Sequence, residues 1–487
     1  MKKIVGWFKE TYKKIKGFFI KVDTGIDNKV DKVTGRFSKI WSKYNFLVFL
    51  LVFTALSLVL KFALVNVPSW DYISFIQQWN LYMRENGGFV KGVVSLYENE
   101  LGQIFLEGIG IYRNVPTCDY PPLYMYFLSL ISVLPLGQVF ETSANTGFTA
   151  YWFYTDMLMY VKILSFIFEI IFATFAYKIV KKVSGSKVAA CTAYSLFLFL
   201  PTVVLNGAVW GQCDVCYASM VVASVYYLIS KKQIKSMIFF GLAIAFKLQA
   251  VFILPLFGFA WFRKSFKIRY VVVAALTLLV TFLPLWMAGA NIGTPFIPYT
   301  RQFGGYITRL NLNSTNLYAL FELNGSVNKE ATKFMSTFGI ILTVVVSFVL
   351  ISVLAMKRVK VTPKSLFTIA TLSVILVPFI MPHMHDRYFY LAETFFVMYA
   401  CTKLNRIHLP IVQQVSGLIA YSCYGIITPD WFLNDDNGQR IALCIGTLLN
   451  ASCIGFLIYD VAKLETEPKQ IIPEKIDNIA ENSAETQ

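Results

Sequence analysis

Residues 46–65 read FLVFLLVFTALSLVLKFALV and residues 271–286 read VVVAALTLLVTFLPLW. Runs of this kind constrain the fold more than any other feature of the chain. Each is about long enough to carry a helix across a hydrocarbon layer of roughly 30 Å, where every backbone N–H and C=O needs a partner inside the segment. A membrane β-barrel would show short alternating segments instead. The expectation is an all-α polytopic membrane protein of roughly 11–14 spans. The first run, with no small-residue cleavage site after it, is a span and not a signal peptide.

Positive charge orients the spans. The formal net charge is +16, and about half of that excess precedes residue 46. The segment 1–44 reads as a basic, partly amphipathic stretch on the cytoplasmic leaflet, which leaves no reason to invoke nucleic acid. KKVSGSK (181–187), KKQIK (231–235), RKSFKIR (263–269), KRVKVTPK (357–364) and KLNR (403–406) are the expected cytoplasmic loops. That puts VWGQCD (209–214), the region after Trp286, MPHMHDR (381–387) and PDWFLNDDNGQR (429–440) on the outer face. A transmembrane domain over 45–460 then carries two large outer loops, 68–119 and 290–333, and both termini are cytoplasmic. The polar segment 461–487 is expected to be a disordered tail. Residues 236–261, apolar with basic residues at both ends, suggest a hairpin of short helices or a re-entrant pair. Residues 137–181 give the wrong parity for one simple helix after a span starting at Tyr120.

Of the eight cysteines, five lie in apolar runs as small packing residues. Cys213 and Cys216 form C-x-x-C with no second pair, so neither a disulfide framework nor a zinc site is expected.

Four polar clusters converge on the outer face. SWDYISFIQQWNLYMRENGG (69–88) has Tyr72, Phe75, Ile76, Trp79, Tyr82 and Met83 at helical spacing. It reads as an amphipathic helix lying on the membrane with Trp70 and Asp71 at its head. Asp71 there is equally an N-cap or a general base. In CDYPPLYMY (118–126), two prolines open a helix, and Asp119 beside Tyr120 either caps it or faces a site. WGQCD (210–214) offers Trp210, a candidate for an interfacial belt, with Gln212 and Asp214, which are costly in a bundle without partners. AFKLQAVFILPL (245–256) adds Lys247 and Gln249 inside an apolar run. PHMHDRYFYLAE (382–393) holds two of the three histidines, His383 and His385, with Asp386. His383 and Arg387, four apart, are expected to share a helical face, a suitable clamp for a lipid-linked phosphate.

A carboxylate base opposite a cationic phosphate clamp at a membrane surface fits sugar transfer from a polyprenyl-phosphate carrier. No Gly-rich nucleotide loop is evident. Two rival readings are a transporter or flippase of lipid-linked glycans, with its polar cavity at the bilayer midplane, and a polysaccharide polymerase or ligase using a diphosphate-linked donor.

The order of these motifs, W-D-x-x-x-F, then DYPPLY, WGQCD, K-x-Q with LPL, and PHMHDRYFYLAE, resembles the GT-C superfamily of membrane glycosyltransferases. Within it the chain is similar to bacterial relatives of the PIG-V type mannosyltransferases, and D-Y-P-P-L also occurs in glucosyltransferases that extend dolichol-linked glycans. The resemblance runs from about residue 45 to Glu393. It implies a GT-C bundle whose long first outer loop contains amphipathic helices, an inverting, metal-independent hexosyl transfer without cofactor, and a polyprenyl-phosphate-linked donor. The acceptor would be a lipid-linked glycan, glycolipid or envelope polymer among membrane lipids. It also implies Asp71 as the catalytic acidic residue and the segment His383 to Arg387, with His385, as donor-phosphate contacts; Lys247, a cation inside an apolar run, is expected to join them. Trp70, Asp119, Tyr120, Trp210, Gln212, Asp214, Gln249 and Asp386 would line the pocket. His-Asp-Arg stands here where the pattern has His-Glu-Arg.

Overall fold

A computed structural model of the chain describes residues 46–98, 103–106, 111–137, 139–142, 151–304, 309–321, 329–426, 428 and 430–468, with single positions 10 and 17. Expectations for the rest of segment 1–44 and for the tail beyond 468 lie outside the described residues.

Helix α1 (Phe46–Ala63) is the first apolar run. The chain then stays at one end of the molecule through a π-helical turn (Tyr72–Ile76), α2 (Gln77–Glu85), α3 (Phe89–Glu98), the hairpin β1–β2 (Gln103–Leu106, Ile111–Asn114) and α4 (Pro122–Ile131). α4 is only 10 residues long, about 15 Å, and falls short of a crossing. A second hairpin, β3–β4 (Val139–Thr142, Tyr151–Tyr154), brings the chain back, and Tyr72 donates its hydroxyl to the Tyr154 carbonyl at 2.7 Å. The helix after Tyr120 is thus shorter than the span the sequence suggested, and the next helix long enough to cross a membrane begins at Thr155.

The bundle proper follows. α5 (Thr155–Ser184) and α6 (Lys187–Leu198) are joined by Gly185 in a left-handed turn, and Pro201–Trp210 continues α6 after a 45° bend. α7 (Asp214–Ile229) returns. α8 (Gln233–Phe246) and α9 (Leu254–Phe262) form the expected helical hairpin, because Gln233 and Ser265, at its two ends, are hydrogen bonded at 2.9 Å. The turn of that hairpin is Lys247, whose extended backbone (φ −164°, ψ 138°) breaks the helix. Then come α10 (Val271–Met287), α11 (Ile297–Gly304), the two-residue strand β5 (Asn311–Leu312), α12 (Lys329–Met356), α13 (Pro363–Ile380), strand β6 (Met384–His385), α14 (Tyr390–Thr402), α15 (His408–Tyr424) and α16 (Asp436–Ala462).

Among the described residues α1, α5, α10, α12, α13 and α16 are long and apolar enough to cross a membrane alone. The bent pair Lys187–Leu198 and Pro201–Trp210 makes a seventh if it is one span, and the remaining apolar helices are shorter than the roughly 11–14 expected spans would need. α13 is buried from Ser365 to Pro378 and α14 from Tyr390 to Cys401, as befits the centre of a bundle, whereas α1, α10 and α12 present Leu, Val and Phe outward.

The basic loops meet at the end opposite the N-terminus of α2. Arg263 Nε donates to the Val359 carbonyl at 3.0 Å and pairs with Glu467 at 2.6 Å, and Lys403 and Arg406 both hold Asp460. The first residues of the expected disordered tail are ordered by this cluster: Lys360 N–H donates to the Glu465 carbonyl and Glu467 N–H to that of Arg358.

Candidate functional site

Asp71 does not cap its helix. Its backbone is already helical (φ −61°, ψ −38°) and its side chain makes no cap bond. Ser69 does that instead, its Oγ accepting from Tyr72 N–H at 3.1 Å. The Asp71 carboxylate is left to face inward, where Oδ2 accepts from Trp210 Nε1 at 3.0 Å and from Gln212 Nε2, and Oδ1 accepts from the Tyr424 hydroxyl. Arg387 Nη1 lies 3.7 Å from Oδ2. The helix behind it does not have the one open, polar face that its pattern suggested. Both faces are covered, with Gln77, Gln78 and Asn80 as buried as Trp79, because α4 and β4 supply hydrogen-bond partners: Asn80 Nδ2 reaches the Leu128 carbonyl at 2.7 Å and Gln77 Oε1 the Tyr154 N–H at 3.0 Å.

WGQCD turns sharply. Gly211 takes φ +76°, a left-handed conformation that glycine adopts without a Cβ clash, and this ends the π-helical turn Leu205–Trp210 and lets α7 begin at Asp214. Trp210 is fully buried, not a belt residue, and stacks on Tyr424 (ring centroids 4.5 Å, 25°) with Arg387 over its ring at 5.4 Å. Asp214, also buried, accepts from Lys247 Nζ at 2.5 Å and from Asn206 Nδ2 at 2.9 Å, and lies 3.6 Å from Arg387 Nε. A lysine at a helix break, 4 % exposed, is thus committed to the site and does not snorkel to an edge.

Arg387 joins the two acidic centres, with Asp386 3.5 Å away on its own loop. Burial, reinforced by Asp71 and Asp214 and opposed by Arg387, pushes Asp386 up to about 7. The native fold thus holds this proton more tightly than the unfolded chain, whose carboxylate titrates near 4. Its contribution to stability is present below about pH 4 and lost as the pH rises through about 7. Burial, with Arg387 and Lys247 adding to it, lowers His385 well below the ordinary histidine value. His385 therefore offers a hydrogen bond and no charge.

Trp70, Asp71, Asp119, Tyr120, Gln212, His385 and Arg387 line one cavity of about 330 Å³, together with Phe75, Ile76, Trp79 and Tyr424. Trp210, Asp214, Lys247 and Asp386 form its buried backing. α11 closes one side, Gln302 Nε2 donating to the Asp119 carbonyl at 2.7 Å and Arg301 to that of Cys118 at 3.0 Å. Asp119 does not cap α4, whose N-cap is Pro121.

His383 and Gln249 fall elsewhere. The helix that would have put His383 and Arg387 on one face starts only at Tyr390, and His383 has φ +61°, which turns it away. Its Nδ1 lies 2.6 Å from the Arg309 carbonyl, which only accepts, so Nδ1 carries a proton; Nε2 lies 2.7 Å from Ser336 Oγ. His383 thus staples β5 and α12 to β6, and with Gln249 it lines a second, more apolar cavity of about 220 Å³ walled by Leu248, Phe252, Ile340 and Met384. Tyr388 borders this second cavity, and Lys247 Nζ lies 5.9 Å from its ring. Two groups of the Asp71 site were not foreseen. Tyr424 lies 353 positions along the chain from its partner. Asn206 was readable as a lone amide inside PTVVLNGAVW, eight residues before Asp214.

The sequence model of glycosyltransferase family 87 matches residues 119–382, more than half of the chain. The chain belongs to glycosyltransferase family 87. It is accordingly a membrane glycosyltransferase of the GT-C type, as the motif order implied, and family 87 membership answers the transporter reading. The family 87 match takes in Asp119, Tyr120, Trp210, Gln212, Asp214, Lys247 and Gln249; Asp71, His385, Arg387 and Tyr424 lie outside it. Among solved structures, ArnT from Cupriavidus metallidurans, bound to undecaprenyl phosphate, aligns over 85% of this chain and 77% of its own at 12% identity, with a TM-score of 0.45. No curated protein matches the chain.

Proposed function

We propose that the chain transfers a hexose, mannose-like or glucose-like, from a polyprenyl-phosphate donor to an envelope glycan or glycolipid on the extracytoplasmic face, with Asp71 as general base. The observation that carries this reading is the pairing of Asp71 and Arg387 on the wall of one aromatic-lined cavity. In a single inverting displacement, the acceptor hydroxyl oxygen attacks the anomeric carbon and its proton passes to Asp71. The bond from that carbon to the phosphate oxygen breaks, and the phosphate leaves with the electron pair. Arg387 neutralises the charge that develops there, and His385 adds a neutral donor. Trp70, Trp79 and Tyr120 supply flat faces for sugar rings, and the second cavity gives the prenyl chain an apolar bed beside them. The reaction is proposed to need no metal. The clustering of basic loops at the opposite end supports an outer-facing site and cytoplasmic termini.

The test is purified protein, with chelator present, offered a polyprenyl-phosphate hexose and the matching diphosphate sugar, alongside mass spectrometry of lipids and envelope glycans from cells with and without the protein. Release of polyprenyl phosphate in step with transfer is the expected result. Use of the diphosphate donor alone would overturn it and favour the polymerase reading. In the same assay Arg387→Ala should raise the donor KM at least about tenfold, as befits loss of a charge-assisted contact, with the acceptor KM nearly unchanged.

Asp386 adds a pH dependence. Above about pH 7 it ionises and becomes a third carboxylate around Arg387. Donor affinity should therefore fall as pH rises through that value, and Asp386→Asn should flatten the decline. A decline of the same size in the variant would assign it to another group.

A further inference from the structure

The face of α5 that looks toward the site carries Lys162, Ser165 and Glu169 at i, i+3 and i+7, all buried. Each reaches across to a segment that ends at Asp71 or at one of its donors. Lys162 Nζ donates to the Val67 carbonyl at 2.6 Å and to that of Leu64 at 3.4 Å. Those carbonyls belong to the turn just past α1, where helical partners run out, and that turn leads within four residues to Asp71. Ser165 Oγ donates to the Gln212 carbonyl at 2.9 Å. Glu169 pairs with Lys61 of α1 one turn lower. Ser69 Oγ ties the two segments together by donating to the Trp210 carbonyl at 2.6 Å. Gly211 closes over the lysine stem, where an added Cβ would meet Lys162 Cε at 3.5 Å.

A buried lysine nitrogen whose described partners are carbonyls alone is costly in a membrane, and a methionine would fill the same volume without that cost. We propose that Lys162 and Ser165 are positioning residues for sugar transfer: the face of α5 is a ruler that fixes the Asp71 carboxylate against Trp210 Nε1 and Gln212 Nε2. This rests on the reading of Asp71 as the base. Neither side chain touches the cavity; both act through backbone carbonyls on the two segments that meet there.

The test compares Lys162→Met, Lys162→Arg, Ser165→Ala and Asp71→Asn in full-length protein with a polyprenyl-phosphate hexose. It measures kcat, both KM values, the pH profile of kcat and thermal stability. Lys162→Met should lower kcat about ten- to hundredfold, the scale of an ångström-level misplacement, with each KM within about threefold and the acidic limb of the pH profile displaced. Lys162→Arg, which keeps the donors, should recover most of the rate. Ser165→Ala, a small deletion that leaves the fold intact, should lower kcat severalfold with the same split, and it decides the matter if Lys162→Met does not fold. Unchanged kcat in Ser165→Ala and Lys162→Met beside an inactive Asp71→Asn would overturn the positioning role alone. Undiminished transfer by Asp71→Asn would overturn the base itself.

Discussion

Asp71→Asn should leave a folded protein that transfers sugar at no more than about one hundredth of the native rate, the lower scale of general-base catalysis. The fold is expected to survive because the asparagine carbonyl oxygen still accepts from Trp210 and Gln212, and the residue is not the cap of its helix. What disappears is the only function an amide cannot supply, a lone pair basic enough to take the acceptor's proton. The measurement is kcat and both KM values for the purified variant, with thermal unfolding as the check on its fold. A loss confined to kcat supports the assignment. Near-normal kcat would move the base to another carboxylate of the cavity, and Asp119 would be the next to test.

The largest stability effect should come from Lys247→Met. Lys247 and Asp214 are 4 % and 1 % exposed and 2.5 Å apart. Deleting one partner of a buried ion pair strands the other charge, which costs about 3–5 kcal/mol. Asn206 and Arg387 remain near Asp214 but bring one neutral donor and a guanidinium already shared with Asp71 and Asp386. Lys247→Met combined with Asp214→Asn should recover much of that loss, since no uncompensated carboxylate is left, while transfer stays impaired. Denaturant unfolding in one detergent, run as a double-mutant cycle, measures the coupling. A single-variant loss under about 1 kcal/mol would mean that water reaches the pair.

Much of this was legible because a membrane limits the alternatives. A lysine in the middle of AFKLQAVF has few explanations in hydrocarbon, and the break in the helix at that residue agrees with its cost there. Basic residues at both ends of 236–261 forced a hairpin for the same reason. Asp71 is legible as a candidate, but whether it caps the helix is not; the cap bond of Ser69 removes that alternative, and such a bond depends on three residues' dihedral angles. The direction of His383 is not legible, because helical spacing does not hold in a turn, where φ +61° reverses it. The length of α4 is not legible, because an apolar decamer opening on two prolines looks alike whether the helix continues or stops. Tyr424 was out of reach altogether. Nothing local to the end of α15 says that its hydroxyl meets a carboxylate from the first excursion.

The hairpin of α8 and α9 has a consequence for where the chemistry takes place. α8 has 14 residues and starts at the level of the basic loops, so its tip rises only about 21 Å into a hydrocarbon layer of roughly 30 Å. With the basic loops at the cytoplasmic surface, as proposed above, Lys247 would present its amino group, and with it Asp214 and Arg387, below the far waterline of the bilayer. A lipid carrier would bend its phosphate inward to meet them, and the acceptor would dip its reacting hydroxyl beneath the headgroups. Water competing for the sugar would have to make the same descent.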